Sequence, residues 1–230
     1  MQRRKNKESL TSFLYSKSIT RGMDLSQLKG LSVVFNTESV YHFYLNKDYR
    51  EYVLRCKNVF IDGAMLVFGA RLIGWKLNRY HGPDLLTDLE EQGICKNSVL
   101  IGGSSSNHVL EKNSVVKKWI KLPYTKNMNL LFDDTVSQIN CDYEVCMVSL
   151  GLPKQELLSS LLANSKKFDK KTLFLPLGAA IDFRTGLRQR SSLFWQRLGL
   201  EWLPRMIREP RMVKRIYFSL VGFILLLGKR

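Results

Sequence analysis

Six short apolar runs, each closed by a turn-forming or polar residue and separated from the next by a segment of helical length, decide what this chain can fold into. They are LSVVF (31–35), NVFI (58–61), SVLIG (98–102), MNLLF (128–132), EVCMVSL (144–150) and TLFLPL (172–177). Between them lie AMLVFGARLIG (64–74), DLLTDLEEQG (84–93), HVLEKNSVVKKWI (108–120) and KQELLSSLLANSKKF (154–168), which read as helices. Crossovers of that length join parallel strands, so the pattern is that of repeated βα units and not of a sandwich. The expected fold is α/β: a layered, Rossmann-like, mostly parallel six-stranded sheet flanked by helices, over residues 1–183.

In open α/β sheets the ligand crevice lies outside the carboxyl ends of the strands. The residues just after the runs are therefore the candidate site: Asn36-Thr37-Glu38-Ser39, Asp62-Gly63, Gly102-Gly103-Ser104-Ser105-Ser106, the GLPKQE segment from Gly151 to Glu156, and Gly178-Ala179-Ala180-Ile181-Asp182.

A chain of 230 residues that is 45% hydrophobic and 24% charged has enough to bury in one core and is not disordered throughout. Its 36 Lys+Arg against 20 Asp+Glu leave a formal charge of +16, which points to polyanionic partners: nucleic acid, an acidic membrane face or phosphorylated substrates. The excess is not spread evenly. From Arg184 to Arg230 there are 11 basic residues against Glu201 and Glu209, so residues 184–230 read as a basic C-terminal helical appendage. Pro210 suits the first turn of a helix that sends Arg211, Lys214 and Arg215 to one side. The run IYFSLVGFILLL (216–227) follows. As a helix it reaches about 18 Å, short of a hydrocarbon core of about 30 Å, and describes an element that lies in a membrane interface. The basic N-terminus is not followed by an apolar stretch of signal-peptide length, and the four cysteines show neither zinc-site nor disulfide-scaffold spacing. A cytoplasmic protein, peripherally associated with the membrane, is expected.

Neither G-x-x-x-x-G-K-[ST] nor G-x-G-x-x-G is present, which removes the P-loop and dinucleotide readings. A carboxylate at Asp62, after an apolar strand and before Gly63, is partly desolvated and suits a general base for a hydroxyl. A helix N-cap is the competing reading, as it is for Thr37. His42 and His108 read as core or helix-surface residues. His81 stands in the Gly/Pro-bounded loop RYHGPDLL, and no histidine is assigned to catalysis. GLPKQE places Lys154, Gln155 and Glu156 on the first turn of a helix at the crevice, and Asp182 stands among Arg184, Arg188 and Arg190.

In this order, IDGAMLVFGARLIG, RYHGPDLL, VSLGLPKQE, LGAAIDFRTG and FWQRLGLEWLPRMIREPR resemble the WecG/TagA/CpsF family of bacterial glycosyltransferases, from about Val33 to Tyr217. The resemblance implies inverting, metal-independent transfer of a sugar from a UDP-sugar to an undecaprenyl-diphosphate-linked saccharide, in surface polysaccharide biosynthesis at an anionic membrane face, with no cofactor. It also implies Asp62 as the base, and Thr37, Arg79 and Gln155 as substrate-positioning groups. Asp182 falls on the nucleotide side, and Arg205, Arg208, Arg211 and Arg215 on an appendage that closes over the site. Thr37-Glu38-Ser39 stands where relatives read T-P-N, and HGPDL where they read T-G-S-D-L. The alternative is a non-catalytic basic module that binds nucleic acid or assembles at a membrane. Trp195, Trp202, Phe218 and Phe223 fall in amphipathic or apolar patterns that suit core or membrane use, so nucleic acid is not expected as a partner. Whether the chain forms a homo-oligomer is open.

Overall fold

Successive residues of the central strands enter opposite faces of one sheet, and both faces are covered. Val33, Phe35, Ile61, Ile101, Val148 and Phe174 lie in one core, and Val34, Phe60, Leu100, Met147 and Leu175 in the other. Strands buried on both sides carry no polar alternation, which is why they read as continuous apolar runs. A computed structural model describes residues 10, 13–103, 116–140, 142–184, 186, 195 and 212–228. Its strands are β1 (Ser18–Ile19), β2 (Gly30–Phe35), β3 (Asn58–Ile61), β4 (Ser98–Gly102), β5 (Lys118–Ile120), β6 (Val145–Ser149) and β7 (Leu173–Pro176). They form a seven-stranded sheet in the order β1-β3-β2-β7-β6-β4-β5, and every pairing is parallel.

The helices are α1 (Thr37–Leu45), α2 (Lys47–Arg55), α3 (Ala64–Leu72), α4 (Gly82–Glu91), α5 (Met128–Gln138), α6 (Lys154–Ala163), α7 (Ala180–Arg184) and α8 (Met212–Leu227). The chain runs from β2 out to β3, then crosses the sheet to β4 beyond β7 and β6. Loops after β2 and β3 therefore diverge from those after β4, β6 and β7, and a crevice opens between them.

The expected six strands become seven through three changes: one run is helical, and two strands, β5 and the two-residue β1, were not expected. MNLLF begins α5 instead of forming a strand: Asn127 caps it by accepting from the N–H groups of Asn129 and Leu130. Met128, Leu131, Phe132 and Val136 then turn to the core at helical spacing. The end of the segment read as a helix over 108–120 is instead the edge strand β5, which pairs with β4; residues 104–115 lie outside the described ones. Neither KWI nor the two-residue β1 offers enough apolar length to stand out in the sequence.

Of the C-terminal segment, α8 packs across α1 and α3. Phe218 stacks on Tyr41 with ring centroids 4.5 Å apart, and Phe223 lies parallel to Phe68. Leu226 enters the core. The close approach depends on Gly222: a Cβ there would lie 1.9 Å from the Thr37 carbonyl oxygen. His42 is buried beside Tyr41, Tyr49 and Phe218, and burial lowers its pKa to about 4. It is a neutral core residue at physiological pH. The outer face of α8 leaves Val213, Tyr217, Leu220 and Ile224 exposed. Among the described residues, no helix is long and apolar enough to cross a membrane.

Candidate active site

Asp62 is held by the sheet itself. Its N–H donates to the carbonyl of Phe35, the last residue of β2, at 2.8 Å. The chain then turns sharply, because Gly63 adopts φ +93°, a conformation strained for any residue with a side chain. Gly63, not Asp62, is the N-cap residue of α3. The carboxylate is therefore released from helix capping. Its Oδ1 accepts from the Gly63 N–H at 2.6 Å and lies 3.3 Å from His81 Nδ1 and 3.8 Å from Arg79 Nε. Oδ2 has no partner among the described residues. The Asp62 side chain is 24% exposed.

Arg79 and His81 reach Asp62 because the chain returns from α3 alongside β3, where the Tyr80 N–H donates to the Ile61 carbonyl at 2.7 Å. The Arg79 guanidinium also contacts His81 Nε2. Opposite them, Asn36 caps α1 by a capping box with Ser39. Thr37 is thus freed from the capping role and sits buried in the first turn.

Two adjoining cavities meet at Asp62. The larger, about 590 Å³, lies over the ends of β4, β6 and β7, and its walls include Gly102, Gly103, Ser149, Gln155, Gly178 and Asp182. The smaller, about 230 Å³, lies between α1, α3 and α8 and includes Thr37, Glu38, Arg79 and Ser219. Asn36, Asp62, His81 and Arg215 line both.

Gln155 turns its amide nitrogen away from the larger cavity, to Glu156 Oε1 at 2.9 Å and the Pro176 carbonyl at 3.4 Å. Its Oε1 is buried and has no donor among the described residues. Behind it, Glu156 is fully buried, and burial raises its pKa to about 8 against the opposing hydrogen bond from Gln155. Its folded pKa exceeds the unfolded one, so its proton stabilises the fold fully below about pH 4.5, and that contribution is lost as pH rises through about 8. Glu156→Gln is expected to melt like wild type at pH 4 and at a higher temperature at pH 9. Thermal denaturation across that range checks it; parallel curves would reject it.

Arg215 is not a free cation. Its Nε and one terminal nitrogen lie 3.0 and 2.9 Å from Glu38 Oε2. Glu38 is itself buried, which raises its pKa, while Arg215 opposes that rise. Arg184, expected beside Asp182, instead pairs with Glu90 of α4 at 2.7 Å. Arg188, Arg190, Arg205, Arg208 and Arg211 lie outside the described residues.

The residues singled out in the sequence thus converge: Asp62 and Arg215 border both cavities, Thr37 and Arg79 the smaller one, Gln155 and Asp182 the larger. Sequence reasoning missed His81, whose Gly/Pro-bounded loop was the available signal, and Glu38 as the partner of Arg215. It also missed Tyr124, a 98% exposed ring on the wall of the larger cavity, with the Lys154 ammonium 5.7 Å from its centroid. Among the described residues no group of three His, Cys, Asp or Glu is placed to hold a metal ion.

A carboxylate with one fixed and one unengaged oxygen, at the junction of two cavities, can take a proton from a molecule in one while that molecule attacks another in the second. Residues 14–230, which include all of these groups, match the model of the Glycosyl transferase WecG/TagA/CpsF family, and the chain belongs to that family.

Proposed function

We propose that the protein moves a sugar from a UDP-sugar to a polyprenyl-diphosphate-linked saccharide by a single, inverting displacement without a metal. The observation that carries this reading is Asp62 at the junction of the two cavities, with Oδ2 unengaged among the described residues. The acceptor hydroxyl gives its proton to Asp62 while its oxygen bonds to the anomeric carbon. The bond from that carbon to the diphosphate breaks, and UDP leaves with the electron pair. The larger cavity suits the nucleotide sugar, with Gln155 and Asp182 on its wall. Thr37 and Arg79 face the acceptor side.

The departing diphosphate needs positive charge that is already in place. Glu38 balances Arg215, so the net charge falls to Arg205, Arg208 and Arg211 and to backbone N–H groups at the first turn of α6. The test is UDP release from a series of UDP-sugars with a lipid-linked acceptor, with and without chelator. Chelator-insensitive release that requires the acceptor supports the reading, and release with none of the donors counts against it.

The lipid-linked acceptor keeps its diphosphate at headgroup depth. The exposed apolar face of α8, flanked by Lys214, suits adsorption to the inner, anionic face of the cytoplasmic membrane. Deleting α8 is a poor test, since it strips Leu226 from the core and Leu225 from its edge. The double substitution Leu220→Glu, Ile224→Glu changes only exposed positions. It is expected to cut sedimentation with anionic liposomes at least about tenfold without lowering the Tm, given a loss of about 0.8 kcal/mol for each buried methylene withdrawn from lipid. Undiminished binding would remove the membrane role of this face.

A further inference from the structure

We infer that His81 is a positioning residue for Asp62: a neutral imidazole, set in its Nδ1–H form by Arg79, that backs Asp62 Oδ1 at close range and leaves Oδ2 to the acceptor hydroxyl. This rests on the reading of Asp62 as the base and adds to it a residue that the sequence alone did not bring to the site.

The hydrogen-bonding capacities of the groups decide the tautomer. A guanidinium carries five N–H donors and no acceptor. His81 Nε2 faces the Arg79 guanidinium, so Nε2 must present a lone pair. The ring proton is then on Nδ1, which lies 3.3 Å from Asp62 Oδ1, in contact but out of line for a hydrogen bond. The side chain is only 18% exposed, and its backbone is fixed as the residue before α4, where its carbonyl accepts from the Leu85 N–H at 2.9 Å. The ring is therefore oriented by Arg79 at one end and packed against Asp62 at the other.

A neutral donor in this place does what a cation does not. A second full positive charge against Oδ1 would stabilise the carboxylate anion and weaken it as a base, since a nearby opposite charge favours the ionised form. The neutral Nδ1–H supplies direction without that penalty, and the Arg79 charge is partly spent on the ring. The charged and titratable groups around it are Asp62 at the end of β3 and Arg79 of its own loop. Across the shared cavities stand Asp182 of α7 and the Glu38–Arg215 pair of α1 and α8.

The test uses the full chain and two readouts. The chain has three histidines, and comparison with His81→Asn assigns the His81 ring signals in a long-range proton–nitrogen spectrum. The Nδ1–H tautomer at neutral pH is expected, and an Nε2–H ring would overturn the inference whatever the activities show. Kinetically, His81→Ala is expected to lower kcat about 10- to 100-fold with little change in KM, as loss of alignment does. His81→Asn, whose amide nitrogen stands about where Nδ1 stands, should recover most of that loss. Wild-type kcat in His81→Ala would sink the inference and leave Asp62 as base. Wild-type turnover in Asp62→Asn would instead sink the base itself, so the two failures are distinguishable. Melting curves separate either result from misfolding, and the tautomer is read on the unmutated protein.

Discussion

Asp62→Asn is expected to lower kcat by about 10²- to 10⁴-fold, the usual contribution of a general base, while UDP binding and the melting temperature stay close to wild type. The amide oxygen can still accept from the Gly63 N–H, which is the shortest contact of the native side chain. What is lost is the second carboxylate oxygen, replaced by a nitrogen with no basic lone pair. The side chain is partly exposed and belongs to neither apolar core, so nothing in the fold depends on its charge. UDP release with the lipid-linked acceptor measures the loss. Undiminished turnover in a folded Asp62→Asn protein would reject the base assignment and the proposed displacement with it.

Gly222→Ala is the second large effect, and it acts through packing. The added methyl would stand 1.9 Å from the Thr37 carbonyl oxygen and 3.1 Å from the Tyr41 nitrogen, both of them backbone atoms of α1. No rotamer relieves such a clash. Nor can Thr37 recede, because its helix is anchored at Asn36 by the capping box. The helix α8 must lift, which separates Phe218 from Tyr41 and withdraws Arg215 from both cavities. Overpacking of this kind costs about 1–3 kcal/mol and sometimes more, or about 2–4 °C in Tm for each kcal/mol in a chain of this size. Faster proteolysis at α8 and a loss of transfer activity beyond the loss of stability are expected. Ile224→Ala, on the exposed side of the same helix, is the control for packing and should leave the Tm and the proteolysis rate unchanged. A Gly222→Ala protein with wild-type melting and activity would show that α8 is not seated this closely on α1.

Much of this was legible in the residues, for reasons that also explain the rest. Val33, Ile61, Ile101, Val148 and Phe174 sit in strands buried on both faces, so their runs announce themselves without reference to the remainder of the chain. MNLLF has the same composition, and only the Asn127 cap and the spacing of Leu131, Phe132 and Val136 separate it from a strand. A five-residue window does not contain that information. The site followed from a topological rule, that ligands meet parallel strands at their carboxyl ends, which singled out Asp62, Gln155 and Asp182. His81 escaped, and Glu38, though inside the candidate stretch 36–39, was not matched to Arg215, because these roles depend on partners the sequence does not place beside them. His81 meets Asp62 only once the chain has folded back along β3. Glu38 meets Arg215 only once α8 has crossed α1.

The one-sided hold on Asp62 has a stereochemical corollary. The Gly63 N–H bonds one oxygen of the carboxylate, with Arg79 and His81 beside it, and the other oxygen has no partner among the described residues; in the proposed mechanism the base would therefore collect its proton from a single direction. An acceptor whose hydroxyl has the opposite configuration at the same carbon would fill the cleft equally well and still point its hydrogen elsewhere. Selection between epimeric acceptors would then be set less by the shape of the sugar pocket than by the rotation of one side chain about its Cβ–Cγ bond.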